Sequence, residues 1–178
     1  DGALGDAAMR MPGGLALGRE LLYVADTGNH ALRRVRLDRG EVDTLLGNGR
    51  AGPTQAGIVG EPGAVQLDRP SGLALAPDRM YLAQAGANQV WEYHLSEHRL
   101  RCLAGSGEMG LADGTGEQAA FAQPTALALV QQTLYVADAA GSALRSVHTG
   151  TGSVHLLVGK GLFEFGDVDG KRGEALLQ

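Results

Sequence analysis

The apolar residues of this chain fall into short segments, and the same segments occur three times. Leu-Tyr-Val-Ala-Asp stands at 22–26 and 134–138, and Met-Tyr-Leu-Ala-Gln stands at 80–84; each follows Pro-x-x-Leu-Ala-Leu. Self-similarity of this kind predicts that each copy is one supersecondary unit. The repeat positions are Pro12, Pro70 and Pro124, Tyr23, Tyr81 and Tyr135, Asp26 and Asp138, and Gly47, Gly105 and Gly159.

Each repeat contains four segments rich in Val, Leu and Tyr, separated by short turns, which is typical of antiparallel strands. A four-stranded sheet that is apolar on both faces must pack against its neighbours. Repeats of this size predict the blades of an all-β propeller, whereas the strands of a solenoid, the alternative, are usually parallel. The predicted strands are 14–17, 21–26, 32–37 and 42–46, then 72–76, 80–84, 90–95 and 100–104, then 126–130, 134–138, 144–149 and 154–158.

The period also sets blade boundaries. It predicts blade 1 at 1–52, blade 2 at 53–110, blade 3 at 111–166 and the lead-in to a fourth blade at 167–178. Propellers typically close with about four to eight blades, so three blades leave an open stack. The sequence therefore predicts half of a six-bladed ring, completed by a second copy of the chain as a homodimer or by blades of a longer protein.

Composition and charge narrow the range of partners. The net charge is -5, and the lysines are Lys160 and Lys171 alone, which disfavours nucleic acid as a partner. No run of apolar residues is long enough to span a membrane. The single cysteine, Cys102, is expected to be a small buried residue. With no signal peptide at the start, these features favour a cytoplasmic location.

Residues 26–35, Asp-Thr-Gly-Asn-His-Ala-Leu-Arg-Arg-Val, resemble the signature of NHL repeats, which are named after Asn-His-Leu. Weaker copies stand at 85–90 and 139–144. The motifs at 103–107, 120–124 and 163–170 are similar to those of NHL proteins in which a thioredoxin-like domain precedes the propeller. The resemblance implies a propeller that binds proteins or RNA, or in a few members acts as a lyase. No Cys-x-x-Cys is present, so thioredoxin chemistry is not implied for these residues.

Asp26 and Asp138 end the second strand of their blades, and Gln84 has the same place in blade 2. One interpretation is that the acids line a pocket or channel. The other is that each carboxylate accepts backbone N–H groups from the turn that follows. Recurrence at one offset favours the second interpretation, because a catalytic residue need not occur in every blade.

No cofactor, metal or catalytic residue is predicted. The candidates for a metal site are weak: His94 lies in a predicted strand and His98 in the predicted turn 96–98 that follows it, so they need not converge. Asp167 and Asp169 resemble the beginning of a calcium loop, but Lys171 occupies the third ligand position.

Arg33, Arg34 and Arg36 form a basic cluster that is a candidate for partner binding, although alternate residues of a strand face opposite ways. Trp91 is a second candidate, as an exposed anchor or as a core residue between blades. The sequence favours a non-catalytic scaffold for a protein or peptide over an enzyme. The alternatives are a lyase or lactonase with a metal in the channel, and an RNA-binding protein.

Overall fold

The computed structural model describes residues 1–164, 166–171 and 174–177. Phe165 of the 163–170 motif and residues 172–173 of the last lead-in lie outside the described residues. The described chain forms three antiparallel sheets of five strands each, and no α-helix is found within it. In that same part of the chain, no helix is long and apolar enough to cross a membrane.

The three sheets have the same topology. In each, the first long strand is innermost, the next three follow outward in chain order, and a two-residue strand that precedes them pairs with the outermost one. The first sheet contains β1 Gly2–Ala3, β2 Pro12–Leu17, β3 Leu21–Asp26, β4 Ala31–Arg36 and β5 Glu41–Leu46. The second contains β6 Gly57–Ile58, β7 Pro70–Ala76, β8 Arg79–Gln84, β9 Gln89–His94 and β10 Arg99–Ala104. The third contains β11 Gly114–Thr115, β12 Pro124–Val130, β13 Thr133–Asp138, β14 Ala143–His148 and β15 Ser153–Val158.

Three-residue 3-10 turns lie between the strands. They are Thr27–Asn29, Pro62–Ala64, Gly116–Gln118 and Ala139–Gly141. The all-β fold and the four long antiparallel strands of each blade are therefore confirmed. The fifth strand is an addition to the prediction. It is only two residues long in each blade, so it is too short to show an alternating apolar pattern.

The innermost strands β2, β7 and β12 begin at Pro12, Pro70 and Pro124, and they approach each other closely. A Cβ added to Gly14 would lie 2.4 Å from the carbonyl oxygen of Ser71. A Cβ added to Gly72 would lie 2.8 Å from Cα of Ala126. Only glycine permits these contacts, so the glycines set how tightly adjacent blades stack.

The two larger apolar clusters lie between blades, and a smaller one packs Val24, Val35 and Val42 of the first blade against its own lead-in. One cluster joins the first and second blades through residues that include Tyr23 and Trp91, and another joins the second and third blades through residues that include Tyr81 and Phe121. Tyr23 and Tyr81 are buried, whereas the equivalent Tyr135 is 38% exposed. The third blade thus has an open face where the first two have a neighbour.

The glycines that close each repeat share one backbone conformation. Gly47, Gly105 and Gly159 have φ angles of 103°, 110° and 115°, a region that favours glycine. A Cβ on Gly47 would also lie 2.3 Å from the carbonyl oxygen of His30. These residues are turns between blades.

Candidate functional site

The polar side chain at the end of the second strand makes the same bond in every blade. Its oxygen accepts a hydrogen bond, 2.7 Å long, from the backbone N–H of the residue two positions before the repeat proline. The side chains are fully buried. They therefore tie the second strand to the loop that enters the first strand, and the backbone N–H groups that they accept come from that loop and not from the turn that follows. The pairs are Asp26 with Arg10, Gln84 with Asp68, and Asp138 with Ala122.

In the first blade, an arginine completes a charged network around the carboxylate. Arg33 donates from Nε to Asp26 Oδ2 at 2.8 Å and from Nη1 to Asp1 Oδ1 at 2.9 Å. Arg33 is partly buried, and Asp26 is fully buried. The network therefore consumes the side chain of one of the three predicted partner-binding arginines.

The third blade has the same three residue types at the same positions, with a longer contact between the arginine and the buried carboxylate. Arg145 donates from Nη2 to Asp113 Oδ1 at 2.8 Å, and its Nη1 lies 3.6 Å from Asp138 Oδ2. Both Asp138 and Arg145 are fully buried. Burial raises the pKa of Asp138 to about 6; the N–H of Ala122 and the guanidinium of Arg145 lower it only in part.

The second blade replaces the whole network with neutral residues. Val59, Gln84 and Trp91 stand where the third blade has Asp113, Asp138 and Arg145. Trp91 is 3% exposed, packs in the core between the first two blades, and donates from Nε1 to Gln89 Oε1 at 2.9 Å. The structure thus places Trp91 in the core and does not present it to a partner, because its repeat position points between blades.

The residues of the NHL-like signature are engaged in the same framework. Asn29 donates to Asp26 Oδ2 at 2.9 Å, and His30 Nδ1 accepts the backbone N–H of Arg69 from the next blade at 3.2 Å. Asn88 repeats the second contact, since its Oδ1 accepts the N–H of Gln123 at 3.0 Å. The signature position therefore links the first blade to the second and the second blade to the third.

Strand alternation divides the predicted basic cluster. Arg34 and Arg36 lie on the opposite face of β4 from Arg33, and both bind Asp43, at 2.5 Å and 2.6 Å. The hydrogen bond to Asp43 raises the pKa of Arg34. Arg34 and Arg36 are partly exposed. Their charge is shared with a carboxylate of the neighbouring strand.

The four weak metal candidates lie in different places. His98 Nδ1 is 2.8 Å from the hydroxyl of Tyr93, whereas His94 Nδ1 is 3.5 Å from Asp78 Oδ2. Asp167 and Asp169 lie in the last lead-in, beside Val158 and Leu176. Within the described ranges, no group of three or more His, Cys, Asp or Glu side chains could hold a metal ion.

The last lead-in has the local structure of the one before it. Gly166 N bonds to the oxygen of Leu177 as Gly110 N bonds to that of Phe121. Leu176 N likewise bonds to the oxygen of Val168, as Ala120 N does to that of Ala112. By this match, Asp169 corresponds to Asp113, the partner of Arg145.

Cys102 is not an activated thiol. Burial raises its pKa to about 11, so the thiol is protonated at neutral pH. A nucleophilic or metal-binding cysteine requires the thiolate.

The second blade carries a surface cleft that brings three arginines together. A cleft of about 490 Å³, here named the arginine cleft, lies on the second blade next to Gly150 of the third. Sequence reasoning singled out His94 but missed the three arginines, although comparison of the repeats carries the signal. The cleft is lined by Arg79, Glu92, His94, Glu97, Arg99, Arg101 and Gly150.

No protein-family model matches the sequence. Over its full length, the chain is 39% identical to part of Protein SUPPRESSOR OF QUENCHING 1, chloroplastic, from Arabidopsis thaliana, of which it covers 18%. It is 32% identical, again over its full length, to part of NHL repeat-containing protein 2 from Homo sapiens, of which it covers 28%. The chain is homologous to NHL repeat-containing protein 2. The resemblance to the NHL repeat family that the repeats predicted is thereby confirmed.

A solved structure supports the fold independently. A structural genomics protein of unknown function from Bacteroides thetaiotaomicron aligns with 93% of this chain and 40% of its own, with a TM-score of 0.72 at 23% identity. This likeness concerns the fold alone. The chain spans 18% of the length of SUPPRESSOR OF QUENCHING 1 and 28% of that of NHL repeat-containing protein 2.

Proposed function

We propose that this NHL-type segment is a non-catalytic scaffold that binds a protein or peptide partner. One observation carries the proposal: the polar side chains that recur in the blades make hydrogen bonds that hold the blades together. Asp26, Gln84 and Asp138 fix the entering loops, and His30 and Asn88 link successive blades. Recognition is therefore left to exposed positions that differ from blade to blade, as is common for sites placed on a regular scaffold.

The chemistry of the site residues supports binding rather than turnover. The Cys102 thiol is protonated at neutral pH, and Asp26 and Asp138 are buried among donors of the chain itself. A buried carboxylate that already accepts a backbone N–H and faces an arginine is held in place by those contacts. It is not presented to a substrate from solvent.

The proposal is tested by screening the folded chain against a library of short acidic, basic and neutral peptides. We expect saturable binding of at least one peptide class, with one peptide bound per chain in calorimetry. Absence of saturable peptide binding would contradict it, as would turnover that depends on added divalent metal. Binding of RNA with a steep loss of affinity as salt increases would favour the RNA-binding alternative instead.

We also propose that the open faces of the first and third blades pair with each other in a homodimer. Between adjacent blades of the chain, one face of a blade packs against the opposite face of the next blade. The first blade leaves one of these two faces open, and the third blade leaves the other open. Two copies joined through them give six blades, within the range in which propellers close.

A further inference from the structure

The arginine cleft lies across three adjacent strands of the second blade. His94 of β9 pairs with Arg79 of β8 on one side and with Arg99 of β10 on the other. Directly paired residues of antiparallel strands point to the same face, so this row lies on one side of the sheet. Two residues before His94 in β9, Glu92 pairs with Arg101 of β10 on the same face.

The fold does not require this concentration of arginine. Gathering like charges on one sheet face opposes stability through repulsion. The other two blades do not have two arginines at the positions equivalent to the row. The repeat therefore folds without them, and a role other than stability is indicated for the arginines of the second blade. The equivalent residues are Leu21, Arg36 and Glu41 in the first blade, and Thr133, His148 and Ser153 in the third.

Most hydrogen-bond donors of the cleft are unused. Arg101 is bound in two places, to Glu92 at 2.9 Å and 3.0 Å and to the carbonyl oxygen of Thr149 at 3.3 Å. Arg79 and Arg99 have only distant carboxylates, 3.7 Å from Glu92 and 3.6 Å from Glu97. In the described part of the chain, neither side chain makes a closer hydrogen bond, although a guanidinium carries about five N–H donors.

The balance of charge differs between the floor and the surface of the cleft. The side chain of Glu92 is 3% exposed, whereas those of Arg79, Arg101 and Arg99 are 43%, 42% and 57% exposed. Solvent therefore meets mainly guanidinium groups, with Glu97 as the exposed acid of the lining. The chain as a whole carries -5, so the cleft is a local reversal of sign.

We infer that the arginine cleft binds an acidic peptide segment of a partner protein, with Arg79 and Arg99 each donating hydrogen bonds to a carboxylate of the peptide. The inference rests on the proposed scaffold function and specifies its partner. Carboxylates suit guanidinium groups because two parallel N–H···O bonds can form. A nucleic acid fits less well, since it needs a basic path longer than this cleft and is repelled by the net charge.

The test measures fluorescence anisotropy of labelled peptides with the unaltered chain and two double variants. Arg79→Gln/Arg99→Gln removes the two guanidinium groups of the cleft that make no hydrogen bond closer than 3.5 Å in the described part of the chain. Arg19→Gln/Arg50→Gln makes the same change of net charge at exposed arginines outside the cleft lining. We expect the first variant to bind an Asp- and Glu-rich peptide about tenfold more weakly or worse. The second variant should bind within about twofold of the unaltered chain, because only screened long-range charge is lost.

The possible results separate this inference from the scaffold proposal. If a neutral or basic peptide binds and neither double variant affects it, the scaffold proposal stands and the acidic-peptide site is wrong. If no peptide binds, both are wrong. Equal weakening in both variants would show an effect of net charge and overturn the site. Displacement of the acidic peptide by inorganic phosphate at equal concentration, or by single-stranded RNA more strongly than by unlabelled peptide, would also overturn it.

Discussion

At the scale of single residues, the buried pair of Asp138 and Arg145 governs what the third blade tolerates. Arg145 donates to Asp113 and to the carbonyl oxygens of Ala112 and Ala120, and it faces Asp138 with no exposure to solvent. Buried charges are tolerated when all partners are present, and the loss of one partner leaves an uncompensated ion. In the second blade, Gln84 and Trp91 replace the aspartate and the arginine together, so no buried charge is left without a partner.

The first prediction concerns the pH dependence caused by Asp138. Burial raises its pKa in the folded chain to about 6, above its ordinary value of 3.8, so the folded state holds the proton more tightly than the unfolded state. The contribution of this residue to the free energy of unfolding is therefore full below about pH 4 and is lost as the pH rises through about 6. Asp138→Asn should remove this loss, which is on the order of 1–3 kcal/mol.

Urea unfolding near pH 4.5 and near pH 7.5, followed by fluorescence of the single tryptophan Trp91, measures this effect. Asp38→Asn, which alters an exposed carboxylate, serves as the control and should keep the pH dependence of the unaltered chain. If Asp138→Asn keeps it as well, Asp138 does not titrate in this range.

The second prediction concerns coupling between the two buried charges. Arg145→Met leaves Asp138 without its cation and should lower the free energy of unfolding by about 3–5 kcal/mol. The double variant Asp138→Asn/Arg145→Met should cost less than the sum of the single changes, because no buried charge of the pair remains. A double-mutant cycle in urea gives the coupling, and simple additivity would show that the two groups do not interact.

The residue-scale pattern was visible in the sequence, but its partners were not. The recurrence of Asp26 and Asp138 at one repeat position favoured the interpretation that these carboxylates have a structural role. It did not show that the N–H group comes from the loop before the first strand, as in the bond to Arg10. A spacing shows that a contact recurs, whereas the choice among nearby donors depends on the three-dimensional path of the loop.

At the scale of elements, the innermost strands of neighbouring blades are in direct backbone contact, with no side chain between them at the glycine positions. Gly14 lies against Ser71, and Gly72 lies against Ala126. The strand pattern predicted each long strand because alternation and turn residues are strong local signals. The two-residue strands and the arginine cleft depend on pairings between distant segments, for which a single sequence offers only the comparison of its repeats.

The third prediction tests this close approach. In Gly72→Ala, the added Cβ meets the backbone of Ala126 at 2.8 Å, so the second and third blades must separate locally. We expect a loss of about 1–3 kcal/mol, which is typical of overpacking. Gly63→Ala is the matched control, because nothing lies within 4 Å of its added Cβ. Urea midpoints measure both variants, and equal midpoints would contradict a steric limit at the innermost strands.

At the scale of the whole molecule, exposure at equivalent positions distinguishes internal blades from terminal ones. Ala16 and Ala74 are buried against the following blade, whereas Ala128 is exposed. On the opposite face, Leu73 is 6% exposed against the preceding blade, whereas Leu15 is 60% exposed. Exposed apolar faces of this kind are available for association, which is what the proposed homodimer requires. The exposed face of the third blade is equivalent to the face with which the first two blades contact the blade that follows. The exposed face of the first blade is equivalent to the face with which the second and third blades contact the blade that precedes.

The last prediction is that the chain dimerises through these two faces. Light scattering after gel filtration should give about twice 18.4 kDa, because pairing buries the third blade's Ala128 and the first blade's Leu15 as the internal interfaces bury their equivalents. Ala128→Arg places a charge in that interface and should yield monomers without unfolding, since the residue is exposed in the single chain. Asp38→Arg, on an exposed turn of the first blade, should remain dimeric. A monomeric unaltered chain, or a dimer that survives Ala128→Arg, would contradict pairing through these faces.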